Sequence, residues 1–167
     1  ADLEANAITR GQVLGVLPFG NVAVTVDISG VELKELLEVG VSASPAESGG
    51  FQQISGLCIT YSTDLEPGSR ITNAVRQADD GSCTGDAIDF SESATYTVIT
   101  NDFSASGGDG YPNFSERMVT LGLLDEVVAG YLAGDTEALV AGDPIAPAIE
   151  GRITCEGADC PAPVTGP

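Results

Sequence analysis

The sequence predicts an α+β domain of mixed, largely antiparallel strands with packed helices. Three observations carry that expectation. Stretches such as "NVAVTVDISG" (residues 21–30) and "RITNAVRQ" (residues 70–77) alternate with the two-residue period of a strand. Two other segments, "GVELKELLEVGV" (residues 30–41) and residues 123–133, carry apolar residues at helical spacing. The two kinds of element alternate irregularly, with hairpins among the strands, which disfavours a doubly wound parallel sheet.

Each element follows from its local chemistry. In "AITRGQVLGVLPFGN" (residues 7–21), Thr9 is a cap ahead of an apolar cluster and Pro18 a stop, so a short helix is expected. A strand follows over residues 21–30. Ser29 then caps a helix whose apolar face is Val31, Leu33, Leu36 and Leu37, closed by Gly40. "SASPAESGG" (residues 42–50) is a loop by composition. "FQQISGLCITYST" (residues 51–63) reads as a strand, a break at Gly56 and a second strand. "EPGS" (residues 66–69) is a turn with Pro67 preset at its second position, and residues 70–77 return as the partner strand. "ADDGSCTGDAID" (residues 78–89) is a turn-rich loop. "ATYTVIT" (residues 94–100) reads as a buried strand, residues 112–132 turn to helical spacing, and "AIEGRITC" (residues 148–155) is a closing edge strand. The domain is therefore drawn over residues 1–154, with residues 155–167 a disulfide-containing, Pro/Gly-rich tail or linker.

Composition narrows the functional classes. The 167 residues are 43% hydrophobic and 19% charged, as in a globular chain of about one domain. Twenty-five acids face six bases, for a formal charge of −19. Such a surface repels nucleic acid and anionic membranes and stays hydrated in salty surroundings. No apolar run reaches the length of a membrane span. The four cysteines, Cys58, Cys83, Cys155 and Cys160, match no zinc spacing, and the chain has no histidine to complete one. Short loops close most readily, so Cys58 is paired with Cys83 and Cys155 with Cys160; four reduced thiols are the alternative. Disulfides imply an oxidising compartment, so the expected location is secreted, periplasmic or cell-surface.

Without histidine there is no Ser–His–Asp triad, no Cys–His pair and no histidine-ligated metal. "GGDGY" lacks the lysine and spacing of a phosphate loop, and "ADDGSCTGD" lacks the order and terminal glutamate of a calcium loop. What remains is "NDFSASGGDGY" (residues 101–111). Gly107, Gly108 and Gly110 free the backbone for positive φ or close approach to a ligand. Asp109 among them displays a carboxylate that can accept from two vicinal hydroxyls. Phe103 offers a flat face just past a strand end, and Phe51 a second one after the glycines of "SGGFQQISG". The alternative is that both rings are core and Asp109 a turn acid.

These stretches, with "LPFGN" (residues 17–21), "ISGVELKELLE" (residues 28–38) and "EGRIT" (residues 150–154), resemble the C-terminal domain of the 5′-nucleotidase/UDP-sugar hydrolase family, in the family's order and over almost the whole chain. The most specific is the Asn-x-Phe-x-x-x-Gly-Gly-Asp-Gly-aromatic element. The resemblance implies a domain that holds the nucleoside: Phe103 and Phe51 clamp the base, and Asp109, on the turn built by Gly107 and Gly108, binds the ribose. It implies no catalytic or metal-ligating residue in this chain. The phosphates would go to divalent metals in a separate N-terminal metallophosphatase domain built from His, Asp and Asn ligands. The expected partners are thus a nucleoside or nucleotide and that domain. An arginine carried by some members at the end of the residue 30–41 helix has no match here, since none lies between Arg10 and Arg70. The competing expectation is a non-catalytic extracellular structural or interaction module whose pocket has degenerated.

Overall fold

The computed structural model describes residues 8–134 and 150–161. In chain order the elements are α1 (Arg10–Val16), β1 (Val22–Ser29), α2 (Gly30–Val41), β2 (Leu57–Ser62), β3 (Ile71–Arg76), β4 (Thr95–Asn101), α3 (Asp102–Ala105), β5 (Val119–Leu123), α4 (Leu124–Leu132) and β6 (Ile153–Glu156). This is the α+β class expected, with two three-stranded sheets ordered β4-β1-β5 and β3-β2-β6. The chain groups into two units. Unit one takes Ala1–Val26, Val98–Gly108 and Asn113–Pro147; unit two takes Asp27–Thr97, Asp109–Pro112 and Ala148–Pro167.

In unit one, α1 starts on a reciprocal capping box: the Thr9 hydroxyl accepts from the Gln12 amide, and the Gln12 side chain accepts from the Thr9 amide. β1 pairs antiparallel with β5, from Val22 opposite Leu123 to Thr25 opposite Val119, with a bulge between Ala23 and Val24. Among the described residues of this unit, Val13, Ala23, Val24, Val26, Ala105 and Phe114 are the buried apolar ones. Arg10 reaches Asp125 at 3.8 Å and Glu126 at 3.3 Å; the arginine is largely exposed, so these pairs add little stability.

In unit two, α2 starts on a second capping box, Ser29 with Glu32. Leu33, Leu36, Leu37 and Val41 of this helix are buried, together with Cys58, Ile59 and Tyr61 of β2 and Ile71 and Ala74 of β3. β2 and β3 pair antiparallel across the expected turn, whose Ser69 amide donates to the Glu66 carbonyl at 3.0 Å. Two charged residues lock helix to sheet. Glu38 is 5% exposed and its carboxylate accepts from the amides of Arg70 at 2.7 Å and Ile71 at 2.9 Å. The Arg70 guanidinium donates to the carbonyls of Val41, Ser42, Ser44 and Leu65, placing a cation on the negative end of α2. Both predicted disulfides, Cys58–Cys83 and Cys155–Cys160, are formed.

Several local expectations are corrected. Residues 51–55 form no strand; pairing starts only after Gly56, at β2. Gly40 does not close α2, which runs on to Val41; instead Gly40 lies buried against Gln52. Val31 is exposed and leaves the apolar face to the three leucines. β4 is half-exposed, with Ile99 turned outward. Part of the helical spacing over residues 112–132 is strand β5, made by its pairing with β1. β6 runs parallel to β2 and extends to Glu156, two residues past the drawn boundary. Residues 148 and 149 of the expected edge strand, and 162–167 of the tail, lie outside the described residues.

Candidate functional site

The stretch between residues 101 and 111 is built by local hydrogen bonds at the end of β4. The Asn101 side chain accepts from the Ser104 amide at 2.8 Å and starts the four-residue helix α3. The Asp102 carboxylate accepts from the Val22 amide at 2.9 Å and the Asn21 side-chain amide at 3.1 Å, tying α3 to the start of β1 within unit one. The Val22 N–H, and after it the Asn21 amide, hold this carboxyl below its ordinary pKa because both bonds favour the charged form. The helix ends at once: the Gly107 amide donates to the Ser104 carbonyl at 3.1 Å, and Gly107 takes φ +91°.

Phe103 sits on α3 with 52% of its surface exposed. Its ring lies flat against the backbone of Gly108. A Cβ there would meet the ring, with Cδ1 and Cζ each at 2.6 Å. Gly108 is therefore required by close approach, and the approach orients the aromatic ring. The expectation that Phe103 could be core does not hold.

In unit two, Asp109 takes φ 55° and ψ 20°, the left-handed region, which Asp tolerates better than most residues. It is exposed and is followed by Gly110 at φ +85°. Its Cβ lies 3.4 Å from the position a Cβ would take on Gly50. The Asp109 turn is thus seated on the loop that carries Phe51. That loop is shaped by Ser48, whose hydroxyl accepts from the Gly50 amide at 3.1 Å and whose carbonyl accepts from the Phe51 amide at 3.2 Å. Phe51 is half-buried, edge-to-face with Tyr61 at a centroid distance of 6.4 Å. The Tyr111 hydroxyl donates to the Gly50 carbonyl. Burial, and then the negative charge of Asp109, push the Tyr111 hydroxyl up to about 12, with a smaller opposing effect from the Gln52 side chain.

Unit one thus brings Phe103 to Gly108, and unit two brings Asp109 to the Phe51 loop. Sequence reasoning did not single out Tyr111 or Gly50. The aromatic after Gly-Gly-Asp-Gly was the available signal for the first; nothing local marked the second. An arginine does reach the end of α2, but Arg70 is buried and its Nε and Nη1 donate to carbonyls. An open cleft of about 490 Å³ beside α2 is lined by Lys34, Glu35, Glu38 and Val39 among others, and by neither Phe51 nor Asp109. Among the described residues no three His, Cys, Asp or Glu side chains are grouped to hold a metal ion. Nor does any helix among them have the length and apolarity to cross a membrane.

Comparison with known proteins gives one consistent picture. The family model described as 5′-nucleotidase, C-terminal domain, matches residues 1–116. The chain is 35% identical over 156 residues to a trifunctional nucleotide phosphoesterase of Bacillus subtilis, covering 92% of this chain and 10% of that protein. It is 32% identical over 137 residues to a 5′-nucleotidase of Vibrio cholerae, covering 80% of this chain and 22% of that one. Among solved structures it superposes on a 5′-nucleotidase precursor from Thermus thermophilus with a TM-score of 0.70 and 35% identity, over 89% of this chain and 28% of that chain. The chain thus spans between about a tenth and about a quarter of the length of these relatives.

Proposed function

The chain belongs to the 5′-nucleotidase C-terminal domain family, and we propose that within it this chain is the substrate-recognition domain of a secreted, periplasmic or cell-surface 5′-nucleotidase-type hydrolase. The carrying observation is the Phe103-to-Asp109 stretch: an exposed ring held flat by a glycine, and six residues on an exposed carboxylate fixed in a left-handed turn. Phe103 stacks on a nucleobase, a contact worth roughly 1–3 kcal/mol. Asp109 accepts from the two ribose hydroxyls, and Phe51 supplies a second flat face. Gly107 and Gly108 give the turn its shape. The cleavage of the phosphoester belongs to a separate di-metal domain, with which this chain works as a partner. The two disulfides and the acidic surface support the extracytoplasmic location.

The reading also resolves an electrostatic conflict. A net charge of −19 repels an anionic nucleotide. Base and ribose are neutral, so a domain that grips only these is not opposed by its own field.

The test is a titration of the chain with adenosine and with 2′-deoxyadenosine, followed by amide chemical shifts. Adenosine binds, and the deoxy analogue binds more weakly, because a lost charge-assisted hydrogen bond costs roughly 1.5–3 kcal/mol. Asp109→Asn removes most of that difference. Equal affinity for the two nucleosides would rule out the role given to Asp109.

A further inference from the structure

One side chain of unit two joins the Asp109 turn to the Phe51 loop. Tyr111 is 7% exposed, and its hydroxyl donates to the Gly50 carbonyl, 61 residues away in sequence. Gly50 precedes Phe51 directly and faces Asp109, whose Cβ lies 3.4 Å from where a Cβ on Gly50 would stand. On the other side of Phe51, Gln52 packs its Cγ and Oε1 at 3.0 Å from the position of a Cβ on Gly40. Gln52 Oε1 is buried there with no hydrogen-bond partner among the described residues. The rest of the Gln52 side chain hydrogen-bonds the Tyr111 hydroxyl. Tyr111 is thus where both neighbours of Phe51, Gly50 and Gln52, meet the Asp109 turn.

We propose that Tyr111 is a positioning residue for nucleoside recognition: its bond to the Gly50 carbonyl sets the Asp109 carboxylate and the Phe51 ring at a fixed spacing, so that ribose and base are gripped as one unit. This rests on the nucleoside-binding reading above. Tyr111 touches no ligand in this account; it acts through Gly50 and Asp109. Its raised pKa agrees with the geometry. Burial and the Asp109 charge keep the hydroxyl protonated, and so a donor, at neutral and mildly alkaline pH.

The test compares the unaltered chain with Tyr111→Phe, which keeps the buried ring and removes only the hydroxyl, with its bonds to Gly50 and Gln52. Two readouts are taken. The first needs no ligand: amide hydrogen exchange of residues 49–52 and 109–111 speeds up together in Tyr111→Phe, while the amides of β2 and β3 exchange as before. The second is the affinity ratio of adenosine to 2′-deoxyadenosine, which falls by about three- to tenfold, the worth of one hydrogen bond. Gly50→Ala, whose methyl makes an ordinary contact at 3.4 Å from the Asp109 Cβ and leaves the Tyr111 bond intact, keeps the parent ratio and is the control. Unchanged exchange in both segments overturns the proposal whatever the ligand result. So does a Tyr111→Phe chain that binds more weakly but keeps the full adenosine-to-deoxyadenosine ratio, since that is the mark of a merely structural residue. If Tyr111→Phe does not fold, the unaltered chain decides: a Tyr111 hydroxyl proton protected from solvent exchange supports the proposal, and one that exchanges as freely as an exposed tyrosine overturns it. Adenosine that does not bind the unaltered chain refutes the nucleoside reading, while hydrogen exchange still judges the coupling.

Discussion

Gly108→Ala is the change that isolates the Phe103 ring. A Cβ at this position would lie 2.6 Å from Cδ1 and from Cζ of Phe103. Carbon atoms in contact sit about 3.5–4.0 Å apart, so the overlap is on the order of 1 Å. The Gly108 backbone is not in the left-handed region, and an alanine there meets no backbone strain. The ring must move instead, and it can, because more than half of its surface faces solvent. Relief by ring rotation keeps the stability change within about 1 kcal/mol, since removing a glycine also lowers the entropy of the unfolded chain by a comparable amount. Binding is another matter. A ring swung out of place forfeits the stacking contact, roughly 1–3 kcal/mol, which weakens adenosine binding by about 5- to 150-fold. The assay pairs adenosine titrations with urea melts for the unaltered chain, Gly108→Ala, Phe103→Ala and the double variant. In the Phe103→Ala background the alanine methyl has no ring to displace, so Gly108→Ala adds no further loss. Two results would refute the reasoning: a Gly108→Ala chain that binds adenosine like the parent, or a penalty from Gly108→Ala that persists undiminished without Phe103.

Other consequences are equally direct. Replacing Cys58 and Cys83 by serine opens a 25-residue separation and lowers stability by about 3 kcal/mol in the chain-entropy model, more than opening the five-residue Cys155–Cys160 loop; denaturant midpoints that reverse this order contradict it. Glu38→Gln turns one of two buried acceptors toward the Arg70 and Ile71 amides into a donor and destabilises the chain by about 1.5–3 kcal/mol, and an unshifted urea midpoint would speak against that locking role. Asp102 has a depressed pKa through the Val22 N–H, so its contribution is complete above the ordinary carboxylate range and is lost as pH falls through the depressed value. The stability gap between the parent and Asp102→Asn therefore narrows in acid; a gap that stays constant down to pH 2 argues against the assignment.

What the sequence made legible, and what it hid, follows from the reach of the interactions involved. Both capping boxes are local, with donor and acceptor three residues apart, and Thr9 and Ser29 were readable as caps. The hairpin of β2 and β3 was readable from its turn and alternation. α3 was not: its Asn101 cap is local, but the helix is only four residues long, and Asp102 ties it to Asn21 and Val22, 81 and 80 residues away. β5 was hidden by "LGLL", a short apolar run that fits either period; its pairing with β1 settles the matter. Gly40 looked like a helix end because glycine usually is one, whereas here it makes room for Gln52. Of the candidate site, the glycine-rich turn and the exposed ring were visible as composition. That Gly108 backs Phe103, and that Tyr111 fastens the Asp109 turn to Gly50, depends on contacts that no spacing rule encodes.

Intermolecular nuclear Overhauser effects between adenosine and the isotopically labelled chain would locate the bound nucleoside. Nucleoside recognition by this stretch gives contacts from the purine protons to the Phe103 ring and from the ribose protons to the amides flanking Asp109. An amide spectrum left unchanged by millimolar adenosine, or contacts confined to surfaces away from both residues, would contradict it.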